Sequence, residues 1–359
     1  MQPIARDGLT RAEVVERIGR LSAEVDAGVD LLDEDLRRVR RLAMEPEGSQ
    51  VVYQAGQAVR LRASLVLSEP VEWGTARLRP WTTVDGIEVR LGVYRPALPA
   101  TEVGSWPQRW QVDCYDLTAD LNRPHGATVR LQQGGSFLGK VDELCAGFGL
   151  TVSVGGSGDA PTATRDRIWP LDAATTTLDI VNDLLEEAGY RNIWMRGDGV
   201  LRCSPDYEHG TKGAEWTYDT SASGTTVGPI RRATSNRLEV PNRLVAISGN
   251  ATAWNPTTGD GVHIIEDQES IGREGLRNAV VTLDAVNQAQ LVSAAEERFA
   301  ELTRVIDQVE VETLPNPFHY HEDVVRIVDP DLQIDRRFLI TGWTYFLDGS
   351  QMPLTGEGL

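Results

Sequence analysis

Two histidines two residues apart stand beside two carboxylates in the segment Phe318 to Pro330, FHYHEDVVRIVDP. Imidazole and carboxylate are ligands of zinc, iron and manganese, and alternate residues of a strand face one side, so His319 and His321 are the metal-ligand candidates of this chain. Against a metal, Pro315 and Pro317 stiffen the chain just before them, and the other histidines stand far off at positions 125, 209 and 263. A polar loop leading into a strand accounts for the same residues, and it is the reading the surroundings favour.

Other segments fail the chemistry they suggest. DPDLQID places Asp329, Asp331 and Asp335 at calcium-loop spacing, but that loop needs glycine at its sixth position and glutamate at its twelfth, where Ile334 and Ile340 stand, so a turn is expected. The glycines of GGSGDAPTATRD, residues 155–166, lead into no helix N-terminus with a lysine to reach a phosphate, so the segment reads as a linker. There is no G-x-S-x-G elbow and no cysteine with a plausible histidine partner, and no catalytic or cofactor-binding residue is assigned. Trp81, Trp110, Trp194 and Trp343 fall inside apolar strand patterns, which makes them core residues before sugar platforms.

The elements around these residues follow from periodicity. Thr10 to Ile18 reads as a short helix with Thr10 and Glu13 as a capping box. Alternation in VRLRASLVL, IEVRLGVY and RWQVDCYDL then predicts an antiparallel β domain, so residues 1–125 form a first unit. Two helices follow that resemble each other at an offset of forty residues: VDELCAGFGL matches VNDLLEEAGY, and Gly149 and Gly189 are left-handed C-caps. Each leads into a strand, TVSV or NIWM, and Arg196-Gly197-Asp198-Gly199 turns the second into VLRCSP, giving a small α/β domain over 126–225. Residues 226–359 read as a second β domain, opening with NRLEVPNRLVAISGN, interrupted by a polar excursion over 251–280 and a helix over 285–303, and closing in QVEVET, DVVRIV, RRFLITGWTYFL and QMPLTGE. The fold class is therefore α+β and mainly β, with a helical insertion at about 251–308 in the C-terminal half.

Composition bounds the function. With 359 residues the chain is long enough for more than one core, and 53 acidic against 35 basic side chains give a formal charge of −18, the wrong sign for stable binding to DNA or RNA. Cys114, Cys145 and Cys203 are odd in number and widely spaced, which favours reduced thiols. No signal-peptide core and no long apolar run is present, so synthesis and folding in a cytoplasm are expected. Only Lys140 and Lys212 are lysines, and the arginine bias points to a gene of high GC content, such as that of an actinobacterium or its viruses.

The C-terminal order, a strand ending in LPNP, a polar loop, DVVRIVDPDLQID and then RRFLITGWTYFLDGSQMPLTGE, resembles the closing barrel of phage tail hub proteins, also called minor tail or baseplate hub proteins. NRLEVPNRLVAISGN, the helix over 285–303 and the GDGVLRCSP hairpin agree with it, so the resemblance spans about residue 135 to the end. It implies two antiparallel β-barrel-like domains flanking the small α/β domain, and a trimer whose six barrels meet a hexameric tail tube. It also implies a place at the virion tail tip, with the distal tail protein, the tail tube or tape-measure protein and a central fibre or spike as partners, and DNA passing through an acidic lumen. HYHED departs from the family in carrying two histidines where relatives have a short acidic turn. No enzyme activity is expected; the alternative readings are a tail-associated cell-wall hydrolase and a carbohydrate-binding tail protein.

Overall fold

The computed structural model describes residues 25–359, except 85, 98–99, 103–108, 156–160, 196, 206–211, 221–225, 236–239, 250–260, 284, 286 and 303–306. The expected helix at Thr10–Ile18 lies outside the described residues. The chain forms two compact units, one from the segment ending at Arg232 together with Glu310–Glu357, the other from Ala233–Val309.

The first unit is built on a 15-stranded sheet. Its order runs from Thr226–Ser235 through Asp307–Thr313, Met352–Gly358 and Ile334–Phe346 to Met44–Gln54, then Leu61–Leu67, Arg109–Asp116, Tyr94–Pro96, Arg77–Val84 and Val25–Leu32, ending at Arg38–Leu42. Alternation builds its inner face: Ala63, Leu65 and Leu67 are buried on one strand, opposite Cys114, Val112 and Trp110 on the next, and only the first two of those partners are fully buried. A bulge between Glu45 and Gln50 is made possible by Gly48 at φ 80°, and the buried Ser49 hydroxyl closes it, donating to Glu45 O at 2.6 Å and accepting from Val66 N at 2.9 Å. Gly28 lies opposite Trp81, where a Cβ would stand 2.5 Å from the indole.

This sheet corrects the expected layout of two separate barrels. The sheets are not closed into barrels, and the C-terminal strand Ile334–Phe346 pairs directly with Met44–Gln54, setting Trp343 opposite Tyr53 and Tyr345 opposite Val51. Strands almost three hundred residues apart in sequence thus share one sheet; nothing in either strand's own alternation names its partner.

The forty-residue repeat is present in three dimensions. Helices Phe137–Ala146 and Thr177–Glu187 start at Ser136 and Thr176, whose hydroxyls accept from Gly139 N and Asp179 N, with a full capping box at the second. Both end alike: Leu150 N donates to Cys145 O and Tyr190 N to Leu185 O, with Gly149 at φ 70° and Gly189 at φ 71°. The strands preceding them, Val129–Leu131 and Arg167–Trp169, pair with each other. Those following, Val152–Val154 and Trp194–Met195, flank Leu201–Cys203 in a three-stranded sheet. Val141, Leu144, Val181, Leu184 and Leu185 fill the shared core.

The second unit is a three-stranded sheet with Arg243–Ser248 at its centre, antiparallel to Val262–Glu266 and parallel to Asn278–Leu283. Helix Gln288–Leu302 covers it, burying Leu291 and Ala295 with Leu244 and Ala246. Within the supposed polar excursion, Val262–Glu266 and Asn278–Leu283 are strands and Gln268–Glu274 is a helix. Helix Gln268–Glu274 starts at Asp267, which accepts from Ser270 N at 3.0 Å, and its chain turns at Gly275, φ 80°. Leu291 and Ala295 are the buried anchors of the long helix, while Val292 is half-buried.

Candidate functional site

HYHED lies in the first unit, on the connection between Asp307–Thr313 and Val324–Asp329, and it is a loop, not a strand. The period-two argument that would set both imidazoles on one side therefore lapses, and each ring has its own partners.

His319 is buried, with Nε2 in a short contact with the Tyr218 hydroxyl and 3.4 Å from Asn316 Nδ2, which also donates to Tyr218 Oη at 3.2 Å. Trp216 meets the ring edge-on, with centroids 5.9 Å apart. Its Nδ1 has no hydrogen bond and lies 3.5 Å from Asp323 Oδ2, an oxygen that accepts from Tyr320 N at 2.9 Å. Burial drives the imidazole down to about 3, against a small opposing pull from Glu215, so the ring is neutral. Glu215 moves the other way, up to about 7, through burial and then its hydrogen bond to the Asp323 carboxyl.

His321 meets charge instead. Its Nδ1 is 3.0 Å from Tyr53 Oη, and Arg60 Nη1 reaches Nε2 at 2.7 Å, so a proton on Nδ1 lets the ring donate to Tyr53 and accept from Arg60. Trp194 stacks on the ring at 5.6 Å. Glu322, at φ 56°, is a left-handed residue other than glycine. Its carboxylate pairs with Arg191 and stands 4.0 Å from Arg60, and its carbonyl accepts from Lys212 Nζ at 3.3 Å. The loop thus ties together the 44–67 hairpin, the strand after the second repeat helix and the 212–219 segment. Strand Trp216–Asp219 pairs parallel with Val324–Asp329, Trp216 opposite Val325.

The two metal candidates therefore engage different groups, and among the described residues no three His, Cys, Asp or Glu side chains gather to hold an ion. DPDLQID forms the expected turn: Asp329 Oδ1 accepts from Asp331 N and Leu332 N, Arg231 pairs with Asp329 and Asp331, and Arg326 grips Asp335 with two bonds of 2.7 and 2.9 Å. Within the glycine segment, Ala163 exchanges backbone bonds with Gly134 and Gly135, which is a chain pairing and not a phosphate cradle. The three cysteines are free and buried, their thiols raised by desolvation. Trp81 and Trp343 are core, while Trp110 and Trp194 are half-buried. Sequence reasoning missed Tyr53, Arg60, Arg191, Trp216 and Tyr218. Of these, only Trp216 and Tyr218 carried a signal, their alternation with polar neighbours in EWTYD.

The fold is that of phage tail proteins. The tail protein from Neisseria meningitidis superposes with a TM-score of 0.63 at 13% identity, covering 92% of this chain and 96% of that one. The 43 kDa tail protein of prophage MuSo2 from Shewanella oneidensis gives 0.61 at 13% identity over 93% and 98% of the two chains. Prophage tail protein gp18 from Listeria monocytogenes gives 0.57 at 8% identity over 92% and 94%. No protein-family model matches the sequence, and no curated protein matches it. At these identities the likeness is one of fold.

Proposed function

We propose that this protein is a structural component of a phage tail, and that it serves as a trimeric hub ring at the tail tip, joining tail tube and distal ring to the central fibre or spike around the DNA exit channel. The observation that supports the reading is the end-to-end fold likeness to tail proteins from three bacteria, which leaves little of this chain or of those chains over. The ring, the channel and the absence of catalysis are the finer part of the proposal. The formal charge of −18 per chain suits a channel wall that repels passing DNA, within about 8 Å of the wall at physiological salt. Among the described residues no helix is long and apolar enough to cross a membrane.

The test is the mass of the purified chain by light scattering across a wide concentration range, with and without zinc or calcium. The expected result is a metal-independent trimer that tightens with concentration. A single-chain mass throughout removes a ring that closes without its neighbours, and a metal-dependent mass returns His319 and His321 to the centre.

A further inference from the structure

An open cavity of about 360 Å³ lies on the exposed side of the main sheet in the first unit, lined by Gln54, Gln57, Arg60, Arg62, Tyr115 and Asn122. That volume falls within the range of roughly 300–1,000 Å³ typical of small-molecule sites. Strand alternation puts it there. Ala63 and Cys114 turn into the core, so Arg62 and Tyr115, each one residue along, turn outward and stand opposite each other in the register. The hairpin between Met44–Gln54 and Leu61–Leu67 adds Gln54 and Gln57, and the chain beyond Arg109–Asp116 adds Asn122.

The lining has a definite chemistry. Tyr115 is 45 % exposed, a large ring left in water at the mouth of a concavity. Its register partner on the other side, Arg95, is held by Asp120, whereas Arg62 and the amides of Gln54, Gln57 and Asn122 make no side-chain bond to any described residue. Arg60 spends its Nη1 on the His321 ring, so the charge on offer is that of Arg62. No Asp or Glu lines the cavity, in a chain that carries 53 of them. Each amide presents a donor and an acceptor side by side, which matches neighbouring hydroxyls; an aromatic ring covers the C–H face of a sugar, and a guanidinium forks a carboxylate. A bound peptide strand fits less well, because Leu61–Leu67 and Arg109–Asp116 each have strands on both sides and leave no free edge to extend.

We propose that this cavity binds an acidic saccharide, a sugar ring bearing a carboxylate. The ring lies on Tyr115, its hydroxyls meet the Gln54, Gln57 and Asn122 amides, and its carboxylate pairs with Arg62. The site does not depend on the tail reading, since its occupancy is read on the purified chain whatever the oligomeric state.

The experiment is saturation-transfer NMR on the full chain with sodium glucuronate, set against glucose, sodium acetate and a tetraglutamate peptide at matched ionic strength. Saturable transfer to the glucuronate ring protons is expected, with weaker binding of glucose and none of acetate. Arg62→Met weakens glucuronate at least about tenfold, the worth of one charge-assisted hydrogen bond, and leaves glucose unchanged. Tyr115→Ala removes the signal of both sugars. Equal affinity for glucose and glucuronate overturns the proposal, as does a glucuronate signal that does not saturate or that survives Tyr115→Ala. Binding of tetraglutamate without glucuronate assigns the cavity to an acidic peptide and overturns it as well. Arg62 and Tyr115 are both exposed, so matched urea midpoints are expected for the variants, and the comparison of glucuronate with glucose on the wild-type chain decides the matter without them.

Discussion

The two halves of the HYHED loop solve opposite problems within five residues. The His319 half is dry: a neutral ring is held by Tyr218, Asn316 and Trp216, and its energy comes from packing and hydrogen bonds to uncharged groups. The His321 half is ionic, with Arg60, Arg191, Lys212 and Glu322 converging at a residue whose backbone sits in the left-handed region. The contrast teaches that a pair of histidines two apart need not share a task once the chain between them turns. One ring fills the core, and its neighbour stands at a junction of three chain segments.

The largest expected effect is on the dry side. His319→Ala removes a buried ring and the Nε2 in contact with the Tyr218 hydroxyl, which keeps its bond from Asn316, and about 3–4 kcal/mol of unfolding free energy should be lost in urea titration. A loss below 1 kcal/mol would show that this half is not the packed one. On the ionic side, Arg191→Met leaves the Glu322 carboxylate short of its main partner and should cost about 2–3 kcal/mol. Glu322→Gln added to Arg191→Met should cost much less than it does alone, and additivity in that double-mutant cycle would dissolve the proposed junction.

Acid titration separates the halves by sign. The folded-state pKa of His319 is depressed, so its contribution is fully present above about 6.5 and is lost as pH falls toward about 3, at up to about 1.4 kcal/mol per unit. Glu215 is raised, so its contribution is present below about 4.5 and is lost as pH rises through about 7. Wild type should therefore lose ground to His319→Gln on acidification and lose ground to Glu215→Gln on alkalinisation, as read from urea midpoints across that range. Parallel pH trends would mean that the two groups are not separately buried. The smallest effect belongs to the exposed Arg326–Asp335 pair, where Asp335→Asn should cost less than 1 kcal/mol and less still in high salt.

Legibility follows the same divide between near and far. The repeat helices could be read because the apolar stripe and the terminal glycine lie close together in the chain, and Gly149 and Gly189 behave as left-handed caps do, while the N-caps Ser136 and Thr176 emerged only in the structure. Residues 262–274 were read as part of a polar excursion because VHIIE is short and the helix after it is polar, with only the Asp267 cap and Gly275 to mark its ends. Arg60 and Arg191 carried no signal at all, since an arginine's partner is set by what folds against it.

By itself the sequence determined the mainly β class, the forty-residue repeat, the net acidic charge and the turn at DPDLQID, because alternation, capping and charge are local or summed properties. Only the tertiary structure decided that Ile334–Phe346 would pair with Met44–Gln54 to make one sheet where two barrels were expected, and that His319 and His321 would part company. Strand pairing is sequence-neutral along the backbone, and a side chain's solvation depends on which distant surface arrives to cover it, so neither could be read from neighbours in the chain.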